Sequence, residues 1–543
     1  MKTRTLASLG GAFAVAFLAS QPAMARDCAD IAAAAPPDTE ITSAALQPAG
    51  PFTLPPELGP ATTVQLPAFC RVQGVLHPTT DSHIAFEVWL PAENWDGRFQ
   101  GVGNGGFAGA IPYSGLAAAL RSGQAAAASD TGHSAGGTDA KWAEGHPEKV
   151  IDFGWRAVHL TAVVGQALTK AFYGSAPRSS YFISCSNGGR QALMEAQRFP
   201  GDYNGIIAGA PAYNWTGLFT DFIWNAQWLA KPGAMIPAAK TPAIASAVLA
   251  KCDKLDGLAD GLLSDPRQCH FDPAVLRCTA GDATSCLTDP QIAALRAIYR
   301  GPRTPDGKQV YFGFLPGGET APGAPNWDLW MFGLAPGASA QNAFGSNFYK
   351  YVVGAPAGWT PADFNFGSDF ARVEARTAAT FNATDPDLSP FAARGGKLIL
   401  FHGWSDGGIP AQGTVAYRDA VVRKMGANRA QTFMRLFMVP GMYHCGGGIG
   451  PSDFGQGGPT PGDTDPATSL SAALQAWVEQ GRAPEQIVAR QAPQPTTPKQ
   501  ETVRTGLICA YPRQAKLLPG GDPLRAEGYT CRDPKAGQKS RDS

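Results

Sequence analysis

Ser186 lies in the run Ser184-Cys185-Ser186-Asn187-Gly188-Gly189, between an apolar stretch (Tyr181, Phe182, Ile183) and a helix-forming one. Strand, sharp turn and helix in that order hold a serine hydroxyl exposed for nucleophilic attack, although the usual G-x-S-x-G is altered here to S-C-S-N-G. Such a serine needs a general base and a group that orients the base. Of the eight histidines, His77, His83, His146 and His270 fall in polar loops with no strand leading into them, while His133 and His159 suit structural hydrogen bonds in a turn or core. His402 ends an apolar stretch but has Asp406 close behind it in the same loop. His444 follows the apolar part of segment 431–448 and opens a glycine-rich loop late in the chain. The order serine, acid, histidine, each just past a strand, is met by Ser186, Asp406 and His444. That set suits acyl transfer, with the serine as nucleophile, the histidine as base and the aspartate holding its tautomer.

Two cysteines flank this chemistry: Cys185 directly precedes Ser186, and Cys445 directly follows His444. A disulfide between them would hold their Cα atoms about 4.4–6.8 Å apart and bring the serine's turn to the histidine's loop. If either pairs elsewhere, the adjacency carries no meaning. Acyl transfer also needs donors for the oxyanion. The backbone N–H of Asn187 is one, and the glycine-rich run 101–109 (GVGNGGFAG) offers Gly105 or Gly106 as the second.

The elements that position these residues alternate. Apolar runs ending in glycine-rich loops occur at 98–109, 125–133, 180–189, 205–211, 397–408 and 431–448, with helix-forming stretches such as 155–172 between them. This pattern predicts an α/β fold with a mainly parallel sheet, whose site forms beyond the carboxyl ends of the strands. The alternation breaks from about 213 to 385, a run rich in Trp, Phe, Gly and Pro with four cysteines. It reads as an inserted lid domain, which divides the chain into a core at 26–212, the lid at 213–385 and a second core segment at 386–543.

The first 25 residues carry Lys2 and Arg4, a short apolar core and Ala23-Met24-Ala25, the marks of a cleavable signal peptide and hence of a secreted or periplasmic protein. In an oxidising compartment, ten scattered cysteines with no C-x-x-C predict five disulfides rather than a zinc cluster. They also leave no free thiol at Cys185 for a cysteine nucleophile. Lys+Arg and Asp+Glu both number 44, which argues against a nucleic-acid partner or capture by an anionic membrane. No later run is long and apolar enough to span a bilayer. Nothing in the sequence sets an oligomeric state.

Within the insertion, residues 251–269 (KCDKLDGLADGLLSDPRQC) place Asp253, Asp256 and Asp260 among turns at Gly257 and Gly261, bracketed by Cys252 and Cys269. Carboxylates interleaved with chain carbonyls suit Ca2+, a hard cation, although the spacing is not that of an EF-hand and a solvated acidic turn is the alternative. The insertion is also rich in aromatic residues. Most belong in its own core, with Trp330 and Phe348, together with Ile409 after Asp406, as candidates to touch a planar acyl group.

Taken together, Cys185-Ser186, Asp406 and His444-Cys445 resemble the tannase and feruloyl esterase family, which includes terephthalate monoester hydrolases. The likeness extends over GNGGFAG, SDTGH, SCSNGGR, the aspartate loop, GWSD and the C-terminal LICAYPRQAKL…YTC. It implies an α/β-hydrolase core with a large inserted lid, no organic cofactor, and a structural Ca2+ held by the carboxylates of Asp253, Asp256 and Asp260 and the carbonyls of Leu258 and Leu262. It implies the pairings Cys28–Cys70, Cys185–Cys445, Cys252–Cys269, Cys278–Cys286 and Cys509–Cys531. The substrate it implies is a small ester of an aromatic acid, hydroxycinnamates first, then gallates, then terephthalate monoesters. A non-catalytic exported binding module and a peptidase are the competing readings.

Overall fold

The computed structural model describes residues 27–57, 61–319, 326–333, 335, 337–491 and 504–534. The expected signal peptide, with Lys2, Arg4 and Ala23-Met24-Ala25, lies outside them.

Nine strands form one mixed sheet in the order Thr39–Gln47, Phe69–Leu76, Ile84–Pro91, Ala125–Ser129, Arg98–Val102, Ser179–Cys185, Gly205–Gly209, Lys397–Gly403, Met434–Val439. The first four are antiparallel to one another. From Ala125–Ser129 onward every pairing is parallel. Sheet order departs from chain order at Arg98–Val102, which lies inside Ala125–Ser129 and beside Ser179–Cys185. This mixed sheet covered by helices is that of an α/β-hydrolase.

Alternate side chains of each strand enter different cores, as the pleat requires. Phe182 joins Phe99, Ile206, Leu398 and Leu436 beneath the helices Ala157–Tyr173 and Asn187–Arg198. Its neighbours Tyr181 and Ile183 join Ile207, Ile399 and Phe437 against the helix Leu470–Gln480. Helices on both faces explain why the parallel strands read as continuous apolar runs rather than alternating ones. Where the sheet and the helix Ala157–Tyr173 come closest, a Cβ on Gly165 would lie 2.6 Å from the Phe99 ring.

Between Gly205–Gly209 and its sheet neighbour Lys397–Gly403 the chain leaves the sheet. Segment 213–385 contributes no strand among its described residues and is built from helices, the longest being Trp215–Leu229, Thr241–Cys252, Asp289–Arg300 and Asp369–Phe381. Its aromatic residues form a cluster around Trp215, Phe219, Phe222 and Phe348 that takes in Phe107 and Phe153 from the segment before it. All ten cysteines are bridged, as Cys28–Cys70, Cys185–Cys445, Cys252–Cys269, Cys278–Cys286 and Cys509–Cys531.

The altered motif around Ser186 has a packing explanation. Ser184 stands where the common pattern has glycine, and its side chain needs space that two other glycines leave. A Cβ on Gly188 would lie 1.8 Å from Ser184 Oγ, and one on Gly103 would lie 2.8 Å from it. Gly188→Ala should therefore destabilise the protein by about 1–3 kcal/mol. Adding Ser184→Gly should recover most of that loss in thermal or denaturant unfolding, whereas additive losses would refute the compensation.

Candidate active site

The strand Ser179–Cys185 ends where the helix Asn187–Arg198 begins, leaving Ser186 as the single residue of the turn, with φ 66° and ψ −124°. That conformation is costly for a residue with a side chain and is retained only where the surroundings over-determine it. Here Ser186 N–H donates to the Gly209 carbonyl at 2.9 Å, and Ser186 O accepts from the N–H groups of Arg190 and Ala212, each at 3.1 Å. Gly189 permits the tight turn, since a Cβ there would lie 2.3 Å from Gly209 O.

Cys185 and Cys445 are bridged with their Cα atoms 5.9 Å apart. Cys445 also has positive φ, 65°, so the covalent link joins two strained turns and sets Ser186 beside the His444 loop. His444 Nδ1 lies 2.8 Å from Asp406 Oδ2. No hydrogen bond joins Ser186 Oγ to the His444 ring among the described residues; such a contact often closes only around substrate.

Asp406 is fully buried, and each of its oxygens accepts two hydrogen bonds. Oδ1 receives the backbone N–H groups of Gly408 at 2.7 Å and Ile409 at 2.9 Å. Oδ2 faces His444 and, at 3.0 Å, His402 Nε2. Burial alone would raise this carboxyl, but the two imidazoles outweigh it and hold Asp406 well below the ordinary carboxylate range. His402 escaped the sequence reading because a histidine four residues from the acid looks redundant there. The i, i+4 spacing around a tight turn is the signal that could have found it.

The glycine-rich loop packs against the same turn. Asn104 N–H donates to Gln191 Oε1 at 2.9 Å, and Asn104 Nδ2 donates to the Ser129 carbonyl at 2.8 Å, tying the loop to the nucleophile's helix and to the neighbouring strand. Neither Gly105 nor Gly106 spends its N–H on a backbone hydrogen bond among the described residues. Asn187 sits at the first position of its helix, where the N–H has no intrahelical partner. One turn further, Arg190 is completely buried, with no carboxylate partner among the described residues. Its guanidinium donates to Asn187 Oδ1 at 2.9 Å and to the carbonyls of Gly154 at 2.7 Å and Phe153 at 3.2 Å, and it lies over the Phe153 and Trp215 rings. Those carbonyls belong to a π-helical turn, Asp152–Arg156, and burial brings Arg190 down to about 9.

The aromatic expectations divide. The half-buried Trp330 meets the His444 ring edge to face at 5.0 Å and lies against Gly408. Phe348 does not reach the site. It is 0% exposed and packs on Phe219, Tyr349 and Phe381, because it falls on the inner side of the insertion's aromatic cluster. Its place is taken by Phe344, one helical turn earlier, whose ring is 6.4 Å from that of Trp330 and inclined by only 15°. Phe344 also reaches the glycine-rich loop, 3.3 Å from where a Gly106 Cβ would stand. Ile409 is 4% exposed and packs into the same cluster, so its firm contact with the site is its N–H on Asp406.

In the acidic loop, one oxygen of each carboxylate caps a nearby backbone N–H: Asp253 that of Gly261, Asp256 that of Leu258, and Asp260 that of Leu262. Gly257 and Gly261 both take positive φ at the turns. Asp256 Oδ2 accepts the Ser264 hydroxyl at 2.6 Å, and Asp260 pairs with Arg504. The donor types fit a hard cation. The three carboxylates are not gathered in this arrangement: among the described residues, the groups of three potential ligands within 4.8 Å of one another lie elsewhere.

The mixed sheet, the strained serine turn and the Asp406–His444 pair define an α/β-hydrolase with the parts of an esterase. The chain matches the tannase and feruloyl esterase family over residues 70–532 and belongs to it. It is 42% identical over 560 aligned positions to an uncharacterised esterase of Xanthomonas campestris, covering 98% of this chain and 95% of that one. It is 34% identical to a probable feruloyl esterase B-2 of Aspergillus flavus over 77% of this chain and 79% of the relative. The crystal structure of feruloyl esterase B from Aspergillus oryzae superposes with a TM-score of 0.82 at 28% identity, covering 93% of this chain and 100% of that one. The protein is a carboxylic-ester hydrolase.

His133 supports the glycine-rich loop from below, with Nε2 2.7 Å from the Phe107 carbonyl and its ring stacked on Trp142 at 3.8 Å. Burial lowers its pKa to about 4, so the folded protein holds it neutral. An unfolded histidine takes up its proton near 6.5, hence His133 costs stability progressively as pH falls from about 6.5 to 4, by up to roughly 3 kcal/mol. Denaturant unfolding across that window should show this loss, and His133→Gln should remove it; an unchanged slope in the variant would contradict the assignment.

Proposed function

We propose that the protein is an exported serine esterase acting on small esters of aromatic acids, with hydroxycinnamates as the first choice of acyl group. One observation carries the reading: the Cys185–Cys445 bridge ties the strained Ser186 turn to a histidine whose Nδ1 rests on a buried carboxylate. Ser186 Oγ attacks the ester carbonyl as its proton passes to His444 Nε2. Asp406 holds the Nδ1–H tautomer and stabilises the imidazolium. The N–H groups of Asn187 and of Gly105 or Gly106 receive the oxyanion. Collapse of the tetrahedral adduct breaks the ester C–O bond, and His444 returns its proton to the departing alcohol. A water molecule, deprotonated by His444, then attacks the acyl-enzyme and releases the acid with Ser186 restored.

The nearly parallel faces of Trp330 and Phe344 support an aromatic acyl group, because they span from the base to the oxyanion loop. The names of the fungal relatives point the same way. The five disulfides support passage through an oxidising compartment, and no described helix is long and apolar enough to cross a membrane. Kinetics on methyl ferulate, methyl gallate, mono(2-hydroxyethyl) terephthalate and p-nitrophenyl acetate test the reading. Turnover of methyl ferulate should exceed that of the others, and Ser186→Ala should lower kcat by three or more orders of magnitude, roughly. Activity on p-nitrophenyl acetate alone would discard the aromatic substrate class; activity surviving Ser186→Ala would discard the triad.

We also propose that the acidic loop takes Ca2+, with carboxylates from Asp253, Asp256 and Asp260 and chain carbonyls from Leu258 and Leu262, as a structural ion remote from the chemistry. Chelation should lower Tm by roughly 5 °C, restored by Ca2+ and absent in Asp256→Ala. A Tm indifferent to chelator and Ca2+ would leave the loop as a plain acidic turn.

A further inference from the structure

Asp406 carries a second imidazole besides that of His444. His402 ends the strand Lys397–Gly403 with its side chain fully buried, Nε2 standing 3.0 Å from Asp406 Oδ2 and 3.2 Å from the Ile409 carbonyl oxygen. Both neighbours are acceptors, so Nε2 carries hydrogen and donates to them. On the far side of the ring, Nδ1 lies 2.7 Å from Thr414 Oγ1, in the first turn of the helix Gln412–Met425. The ring is held from both ends and cannot turn without giving up one of these bonds.

We infer that His402 is a positioning residue for the serine chemistry: anchored through Thr414, its Nε2–H holds the Asp406 carboxylate in place and shares Oδ2 with His444. The inference rests on the Ser186–His444–Asp406 assignment. The backbone N–H groups of Gly408 and Ile409 hold Oδ1. Without His402, only His444 among the described residues would hold Oδ2, and His444 is the group that must be oriented. Sharing also has an electrostatic consequence. An oxygen that accepts two donors is a weaker partner for each, so His402 tempers the grip of Asp406 on the His444 imidazolium. Removing it leaves Asp406 a stronger acceptor for the His444 imidazolium.

Other ionisable groups lie near but are engaged elsewhere. Glu319 accepts from Tyr299 and from the Gly317 N–H and faces Tyr443. Arg267 pairs with Asp265 and lies over Trp404. Tyr213 and Tyr417 pack on each other at 5.1 Å. Among the described residues, only the two histidines bring ionisable side chains to Asp406.

The test is the pH dependence of kcat and KM for His402→Phe, His402→Gln and Thr414→Val, with Ser186→Ala alongside, on whichever ester the wild type turns over. His402→Phe should lower kcat about 10–100-fold with KM within about twofold. It should also move the acid limb of kcat/KM up by about half a unit or more. His402→Gln, whose amide N–H can serve the same oxygen, should recover most of both. Thr414→Val should show a smaller change of the same sign. Wild-type kcat and limb in His402→Phe, or an activity loss that follows Tm with the limb unmoved, would overturn the inference. If His402→Phe does not fold, an unmoved limb in Thr414→Val overturns it and a raised one upholds it. Activity retained by Ser186→Ala would instead remove the assignment on which it rests, whereas an inactive Ser186→Ala beside an unchanged His402→Phe would remove this inference alone.

Discussion

The bridge between Cys185 and Cys445 joins residues 260 apart in sequence, and the site is arranged around the geometry it imposes. Both ends sit in turns that an L-residue resists, at φ 66° for Ser186 and 65° for Cys445. In many folds such strain is held by packing alone, and relaxation of either loop would separate Ser186 from His444. Here the covalent link removes that freedom. The hydrogen bonds of Ser186 to Gly209, Arg190 and Ala212 then fix the remaining orientation of the turn.

Around this staple the protein buries two charged groups in unlike ways. Asp406 is an anion with four hydrogen-bond donors, two of them imidazoles, and their combined effect exceeds the cost of burial. Arg190 is a cation with no acid to meet it; carbonyl oxygens of a π-helical turn, one side-chain amide and two aromatic faces take the place of a carboxylate. Neutral acceptors hold the guanidinium without adding negative charge to the site.

The aromatic residues of segment 213–385 both fill its interior and line one side of the site. Phe219, Phe222 and Phe348 give it a core continuous with Phe107 and Phe153 of the sheet-bearing part. Phe344, at the edge of that cluster, reaches the glycine-rich loop, and Trp330, packed against a second cluster that holds Trp327 and Phe332, meets His444.

Much of the site was legible before any coordinates. The serine, acid and histidine stood in chain order at strand ends, and two cysteines touching two of the three pointed to their own pairing, since a bridge between them would bring the serine's turn to the histidine's loop. The alternation of apolar runs with helix-forming stretches announced an α/β fold with a mainly parallel sheet. Local chemistry of this kind depends on neighbours in sequence, and the sequence determined it alone. What only the tertiary structure decided depends on neighbours in space. Phe344 rather than Phe348 borders the site, although four residues would place both on one side of a regular helix; at Phe348 the helix Ala340–Asn347 passes into a π-helical turn, which residue spacing does not announce. Ser184 is tolerated in the serine turn because Gly188 and Gly103, one of them 81 residues upstream, leave its side chain room. Asp260 meets Arg504 across more than two hundred residues, and His402 meets an acid already committed to another histidine. Side-chain direction decides each of these, and direction is set by packing that no spacing rule contains.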